Sequence, residues 1–204
     1  MRLPVKDGRI DEERATAQIH YAIDRGVNYI DTAWTYHGGE SETFLGKALK
    51  DGYRERVKLA TKLPSYLMRS REDMDRFLDA QLEKLQTDHI DYYLMHTLTG
   101  PLWNCVDTMG ARDFLDKARS DGRIVNAGFS FHGLPADFAP IVDSYGWEFC
   151  LIQYNYLDEE NQAGTKGLKY AASKGLGVFV MEPLRGGNLG LPEAPPPVAA
   201  IWEE

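Results

Sequence analysis

Apolar runs rich in β-branched and aromatic residues recur along this chain about one strand and one helix apart, and each ends on a polar side chain. Asn28-Tyr29-Ile30 leads into Asp31, Val57-Lys58-Leu59-Ala60-Thr61 into Lys62, and Ile90-Asp91-Tyr92-Tyr93-Leu94-Met95 into His96. Asp31, Lys62 and His96 follow one another at intervals of 31 and 34 residues, the length of one strand–helix unit. In a parallel barrel all strands run one way, so strand-end residues gather on one face. Three further runs continue the pattern: Ile124 to Phe129 ending at Ser130, Phe149 to Ile152 ending at Gln153 or Asn155, and Gly177 to Met181 ending at Glu182-Pro183.

Helix signals fill the gaps. Asp11-Glu12-Glu13 supplies acids to a first turn, with Ile19, Ala22 and Ile23 at helical spacing behind them and Gly26 as a stop. A helix is expected from about Glu40 to Lys50. Ser70 with Asp73 resembles a capping box, and Met74, Phe77, Leu78, Leu82 and Leu85 follow at three- and four-residue steps. Further helices are expected at about Thr108 to Ser120, from Pro135 toward Gly146, and from Ala163 to Lys174. Six strands alternating strictly with helices predict a parallel sheet with helices outside it. Leu191 to Pro197 reads as a proline-rich connector, and Ile201-Trp202 as the start of another helix.

Composition removes some function classes. A net charge of −8 argues against nucleic acid and against an anionic membrane surface, because both attract Lys and Arg. An anionic cofactor stays possible in a local cationic pocket. Cys105 and Cys150 lack the spacing of a metal site and read as buried or incidental thiols. The N-terminal residues lack the apolar core of a signal peptide, no stretch approaches a membrane span, and a reducing cytoplasm is the expected setting.

Asp31, Lys62, His96 and Tyr36, which lies five residues after Asp31, make a proton-donating set. Singly, each has a bland reading: a capping carboxylate, a solvated lysine, a packing aromatic. Together they divide the tasks of carbonyl reduction, which needs a proton beside the oxygen as hydride reaches the carbon. A free tyrosine, with a pKa of about 10, gives up its proton reluctantly at pH 7. A lysine ammonium about 4 Å away favours the tyrosinate by roughly 4 kcal/mol at an effective dielectric near 20, an upper figure of about three pKa units. Asp31 is then the counter-ion that keeps Lys62 charged, and a neutral His96 can direct a ring N–H at the same oxygen. Among the other candidates, His37 and His132 fall in rim loops where substrate contact and plain solvation are both open. His20 and His89 read as structural, and Trp34 either lines a pocket or packs. The glycines of Arg185-Gly186-Gly187-Asn188-Leu189-Gly190 match neither a Walker loop nor a Rossmann fingerprint in context.

Gly26-Val27-Asn28-Tyr29-Ile30-Asp31-Thr32-Ala33, then Tyr36, Gly38-Gly39-Glu40-Ser41-Glu42 and Leu45-Gly46, resembles the signature of the aldo-keto reductases. So do Ala60-Thr61-Lys62, Tyr93-Leu94-Met95-His96, Gly128-Phe129-Ser130, Gln153-Tyr154-Asn155 and Met181-Glu182-Pro183-Leu184. The resemblance implies an α/β fold, the (β/α)8 TIM barrel, with residues 1–204 a single domain covering roughly strands 2 to 7 and lacking strands 1 and 8. On that count the natural protein is expected to extend past both ends, or another chain to fill the gap. The resemblance also implies NADP(H), with NAD(H) possible, bound without a Rossmann domain, and reduction of a small-molecule aldehyde or ketone with Tyr36 as proton donor. By the same analogy Ser130 and Gln153 hold the nicotinamide carboxamide, Met181 takes the place of a stacking aromatic, and Pro183 and Leu184 run near the pyrophosphate. Phe131 stands where relatives often carry Asn. An iron–sulfur cluster is expected only if a further C-terminal segment supplies cysteines, and no other metal is. The contrasting reading is a cofactor-binding regulatory or interaction protein on the same scaffold. Substrate identity and oligomeric state stay open.

Overall fold

The computed structural model describes residues 2–190 together with Pro196 and Ala199; the rest of the proline-rich connector and the helix expected at Ile201-Trp202 lie outside the described residues. The chain opens on an antiparallel pair of short strands, β1 (Val5–Lys6) and β2 (Arg9–Ile10). Sequence reading missed this pair, although its turn, Asp7-Gly8, is a strong hairpin signal. Asp7 and Gly8 have φ of 53° and 78°, the left-handed values that a two-residue primed turn needs.

Helix α1 (Glu12–Asp24) follows, capped by Asp11, whose carboxylate accepts the Arg14 N–H at 3.2 Å. Then strand and helix alternate: β3 (Tyr29–Asp31), α2 (Ser41–Ala48), β4 (Lys58–Leu63), α3 (Arg71–Leu85), β5 (Ile90–Leu98), α4 (Gly100–Thr108), α5 (Ala111–Ser120), β6 (Ile124–Phe131), α6 (Pro135–Ser144), β7 (Phe149–Gln153), α7 (Gly164–Ser173) and β8 (Gly177–Met181). Strands β3 to β8 form one parallel sheet in sequence order. The sheet curls into a partial barrel whose edge strands β3 and β8 stay unpaired with each other, and across its interior the Tyr29 ring of β3 stacks on Phe179 of β8, with centroids 4.7 Å apart. These are six consecutive strands of a (β/α)8 barrel.

Two apolar clusters follow from the alternation of side chains along each strand. Ala60, Leu94, Phe149 and Leu151 point inward, joined by Tyr29, Tyr92, Phe179 and Met181. Leu59, Leu63, Tyr93, Met95, Phe129 and Ile152 point outward and pack beneath the helices. Each fully buried Leu or Phe of this layer contributes roughly 1.5–3 kcal/mol over an exposed one.

Helices α2 and α3 approach closely enough that a Cβ on Gly46 would collide with the backbone of Lys84 and Leu85. The fully buried Glu42 of α2 sits at that contact. Its carboxylate accepts from Thr61 Oγ1 at 2.7 Å and from Gln81 Nε2 at 2.6 Å, and Gln81 also donates to the Lys62 carbonyl. A buried carboxylate is tolerable only when bonded in this way, and here the bonds tie two helices to β4.

Two helix expectations need correction. Ser70 makes no side-chain cap, and the Asp73 carboxylate accepts instead from the N–H of Arg69, one residue before the cap, at 2.9 Å. The stretch before Ala111 also holds a separate helix, α4, where Thr99 accepts from the Leu102 N–H at 3.2 Å and Pro101 sits in the first turn.

Candidate active site

Every side chain of the proton-donating set comes from the C-terminal end of a strand or the loop after it. Asp31 is the last residue of β3, Tyr36 opens the short 3₁₀ turn that follows, Lys62 is the penultimate residue of β4, and His96 lies near the end of β5. They converge on one point. Lys62, 1% exposed, donates from Nζ to both Asp31 carboxylate oxygens at 2.7 and 2.8 Å, to the Thr32 carbonyl at 2.7 Å and to the Tyr36 hydroxyl at 3.3 Å. The ammonium thus stands between a carboxylate and a phenol. With three N–H protons and no lone pair, it can approach the phenol only as a donor.

His96 lies beside Tyr36, with the two ring centroids 6.2 Å apart and the rings edge to face. Burial first, then the Lys62 charge and His132, push the His96 imidazole down to about 3, so it is neutral at physiological pH. Its Nδ1 is buried and has no hydrogen-bond partner among the described residues. The Tyr29 hydroxyl, also buried, likewise lacks a partner, and burial followed by the Asp31 charge drives its pKa upward.

These groups line a cavity of about 330 Å³, within the size range of small-molecule sites. Ser130 and Met181 line it too, as do Phe179 and His132. Gln153, Pro183 and Leu184 lie outside that lining. The Gln153 amide is turned aside, donating to Asp158 at 3.3 Å and accepting from Asn161 at 2.9 Å. Phe131 points away from the cavity into the outer core, against Phe138.

Of the two open histidines, His132 reaches the cavity, its imidazole pushed down first by burial and also by Lys62. His37 does not: its Nε2 accepts the Leu3 N–H at 3.1 Å and ties down the N-terminus. His20 is structural, stacked on Tyr53 and bonded to the Ala48 carbonyl. Trp34 packs outside, beneath the Lys84 ammonium and against Phe77. Arg185 to Gly190 forms a tight turn, with Arg185 3.4 Å from Asp158. Sequence reading missed Phe179 and Tyr29 as cavity residues; their inward phase, two residues before Met181 and Asp31, was the available signal.

A larger open groove of about 1010 Å³ lies at the other end of the strands, around Arg54, His89 and Asp91. The Arg54, Lys58 and Asp91 charges there are paired with one another, and none of the Asp31, Tyr36, Lys62 and His96 set lines that groove. Among the described residues no group of three His, Cys, Asp or Glu is placed to hold a metal. Nor is any helix among them long and apolar enough to cross a membrane.

Comparison with known proteins bears on the family and the fold. L-galactose dehydrogenase of Arabidopsis thaliana is 32% identical over 89% of this chain and 59% of its own length. The holo form of an aldo-keto reductase from Bacillus halodurans superposes with a TM-score of 0.77 at 27% identity, over 91% of this chain and 62% of that one. An aldo-keto reductase from Klebsiella pneumoniae, solved in complex with NADPH, gives 0.71 at 25% identity, over 89% and 62%. The chain therefore spans about three fifths of the length of these relatives. The family model described as the Aldo/keto reductase family matches residues 1–193, and the chain belongs to that family.

Proposed function

We propose that this chain carries the catalytic rim of an NAD(P)H-dependent oxidoreductase that reduces aldehyde or ketone carbonyls, with Tyr36 as the proton donor. One observation carries the reading: Lys62 Nζ sits 3.3 Å from the Tyr36 hydroxyl with the Asp31 carboxylate on its other side, all at a cavity wall. An ammonium at that distance stabilises the tyrosinate left after proton transfer, and Asp31 keeps the ammonium charged despite its burial. The neutral imidazole of His96 can donate to the same substrate oxygen.

The cavity fits a nicotinamide ring. Ser130 Oγ accepts from the Thr97 N–H and keeps its own proton for an acceptor. Phe179 and Met181 offer apolar surface. Bound reduced nicotinamide would supply the hydride, and the chain's residues do the remainder. Ser130 would hold the carboxamide, Gln153 would join it by exchanging its bonds to Asp158 and Asn161, and Pro183 and Leu184 would pass near the pyrophosphate. The NADPH bound by the Klebsiella relative supports NADP(H), with NAD(H) possible.

The test follows consumption of NADPH with a simple aldehyde. Tyr36→Phe is expected to lower turnover by roughly 10²–10⁴-fold, while NADPH binding, read by fluorescence, stays near wild type. Full turnover in that variant would remove Tyr36 from the mechanism.

A further inference from the structure

His96 sits at a break in the strand pattern. Along β5, Tyr92 and Leu94 face the barrel interior, while Tyr93 and Met95 face the helices. His96 continues the inward phase and lines the cavity. Strict alternation would send Leu98 inward as well, into the mouth of the site. Leu98 instead belongs to the outer core, fully buried.

The pairing with β6 explains the switch. Met95 is opposite Phe129 and Leu98 is opposite Phe131, so two residues, His96 and Thr97, face the single Ser130. One extra residue is inserted, which is a β-bulge, and it re-aims the side chains on either side. The inserted turn is strained. Thr97 has φ of 62°, a left-handed value that a β-branched residue rarely adopts and that persists only when its surroundings enforce it.

The enforcing contact is a side chain. Ser130, 1% exposed, accepts the Thr97 N–H on Oγ at 2.7 Å. Beyond the bulge the backbone ladder resumes, with the His132 N–H donating to the Leu98 carbonyl at 2.9 Å. The Thr97 N–H, turned out of the regular ladder by the bulge, thus finds its acceptor in the Ser130 hydroxyl.

We propose that Ser130 is a positioning residue for His96: by holding the strained bulge at Thr97, its hydroxyl keeps the imidazole in the cavity wall beside Tyr36. This task is separate from any contact with a cofactor. It deepens the reductase reading, and its kinetic arm rests on that reading.

Glycine tells the two tasks apart, because it adopts a φ near 60° without strain and keeps its N–H. Ser130→Ala and the double variant Ser130→Ala/Thr97→Gly are compared with the unaltered chain. The first readout is titration of the His96 imidazole by NMR, which needs no cofactor. The titratable groups acting on it are Lys62 and His132, both unchanged in the variants. In Ser130→Ala the imidazole is expected to leave its buried position and titrate nearer the ordinary histidine value, and in the double variant to return. The second readout is turnover at saturating NADPH and aldehyde, expected to fall about 10–100-fold in Ser130→Ala, as for a misplaced catalytic group, and to recover mostly in the double variant.

A Ser130→Ala protein with unchanged His96 titration and only weaker NADPH binding overturns the proposal, as does a double variant no better than the single. If Ser130→Ala does not fold, the double variant reads the same test: folding with His96 in its wild-type titration supports the clamp, and failure overturns it. If the unaltered chain reduces no carbonyl, the reductase reading fails, and the titration alone still decides the bulge.

Discussion

Both ends of the parallel strands carry a carboxylate paired to a cation, buried at Asp91 and partly exposed at Asp31, and they differ in what is left over. At the N-terminal ends, Asp91 accepts from Arg54 at 2.9 Å, from the Leu59 N–H at 3.0 Å and from Lys58 at 3.0 Å. Arg54 then spends its remaining donors on Thr87 and on the Val57 and His89 carbonyls. Within this cluster the Arg54 and Asp91 charges are spent on each other and on the neighbouring backbone. At the C-terminal ends, Asp31 holds Lys62 just as tightly, but the ammonium also reaches the Tyr36 hydroxyl. Beside them His96 Nδ1 and the Tyr29 hydroxyl have no partner among the described residues. The base spends its charges on holding strands together, and the rim keeps hydrogen-bonding capacity in reserve beside a cavity.

The contrast breaks or stands on exchanging a residue at each end. Asp91→Ala leaves Arg54 buried without its carboxylate and is expected to cost about 3–5 kcal/mol, the effect of halving a buried pair, with turnover of the folded protein unchanged. Tyr36→Phe is expected to do the reverse, losing turnover while stability stays within about 1 kcal/mol. Urea unfolding and NADPH consumption on both variants check this. A large activity loss in Asp91→Ala with stability intact would erase the distinction.

Much of the rim was legible because its residues obey a local rule: a polar side chain placed directly after an apolar strand-like run. Asp31, Lys62 and His96 all follow it. The base cluster was not legible in this way, since Arg54 precedes its strand and Asp91 interrupts one, and nothing local marks them as partners. The register of β5 was equally hidden. Thr97 is an ordinary β-former, and its left-handed conformation comes from the extra residue facing Ser130, which is a property of two strands together. Likewise Thr99-Gly100-Pro101 reads as a chain breaker until Thr99 is seen capping α4. Gln153 falls in the inward phase of Phe149 and Leu151, yet its amide is taken by Asp158 and Asn161, polar residues of the following loop.

Acid should separate the two ends by window. His96 is neutral in the fold and ordinary in the unfolded chain, so between pH 6.5 and about 3 the unfolded chain binds the extra proton. Stability from this group is full above pH 6.5 and falls as pH drops, by roughly 2 kcal/mol at pH 5. Asp91 behaves otherwise. Burial pushes its carboxyl up, but the Leu59 N–H, Lys58 and Arg54 together hold it below the ordinary range. Its contribution persists above the unfolded carboxylate value of about 4 and is lost only below it. Unfolding measured at pH 7, 5 and 3.5 in His96→Leu and Asp91→Asn checks the assignment: the first variant should lose the slope between pH 7 and 5, the second the slope below 4. Identical profiles would place acid sensitivity elsewhere.

The smallest expected effect sharpens the account of the base. Lys58 completes the Asp91 cluster at 3.0 Å, but its side chain is 64% exposed while those of Arg54 and Asp91 are 16% and 5% exposed. An ammonium still in water gains little from its partner, because solvent and salt screen the attraction. Asp91 also keeps Arg54 and the Leu59 N–H when Lys58 is gone. Lys58→Met is therefore expected to cost about 0–1 kcal/mol, to lose even that at high salt, and to leave turnover alone. Denaturant midpoints at low and high salt measure it. A loss near that of Asp91→Ala would show the base to be a three-charge unit, whereas a small one places its stability in the buried Arg54–Asp91 contact and the backbone it clamps.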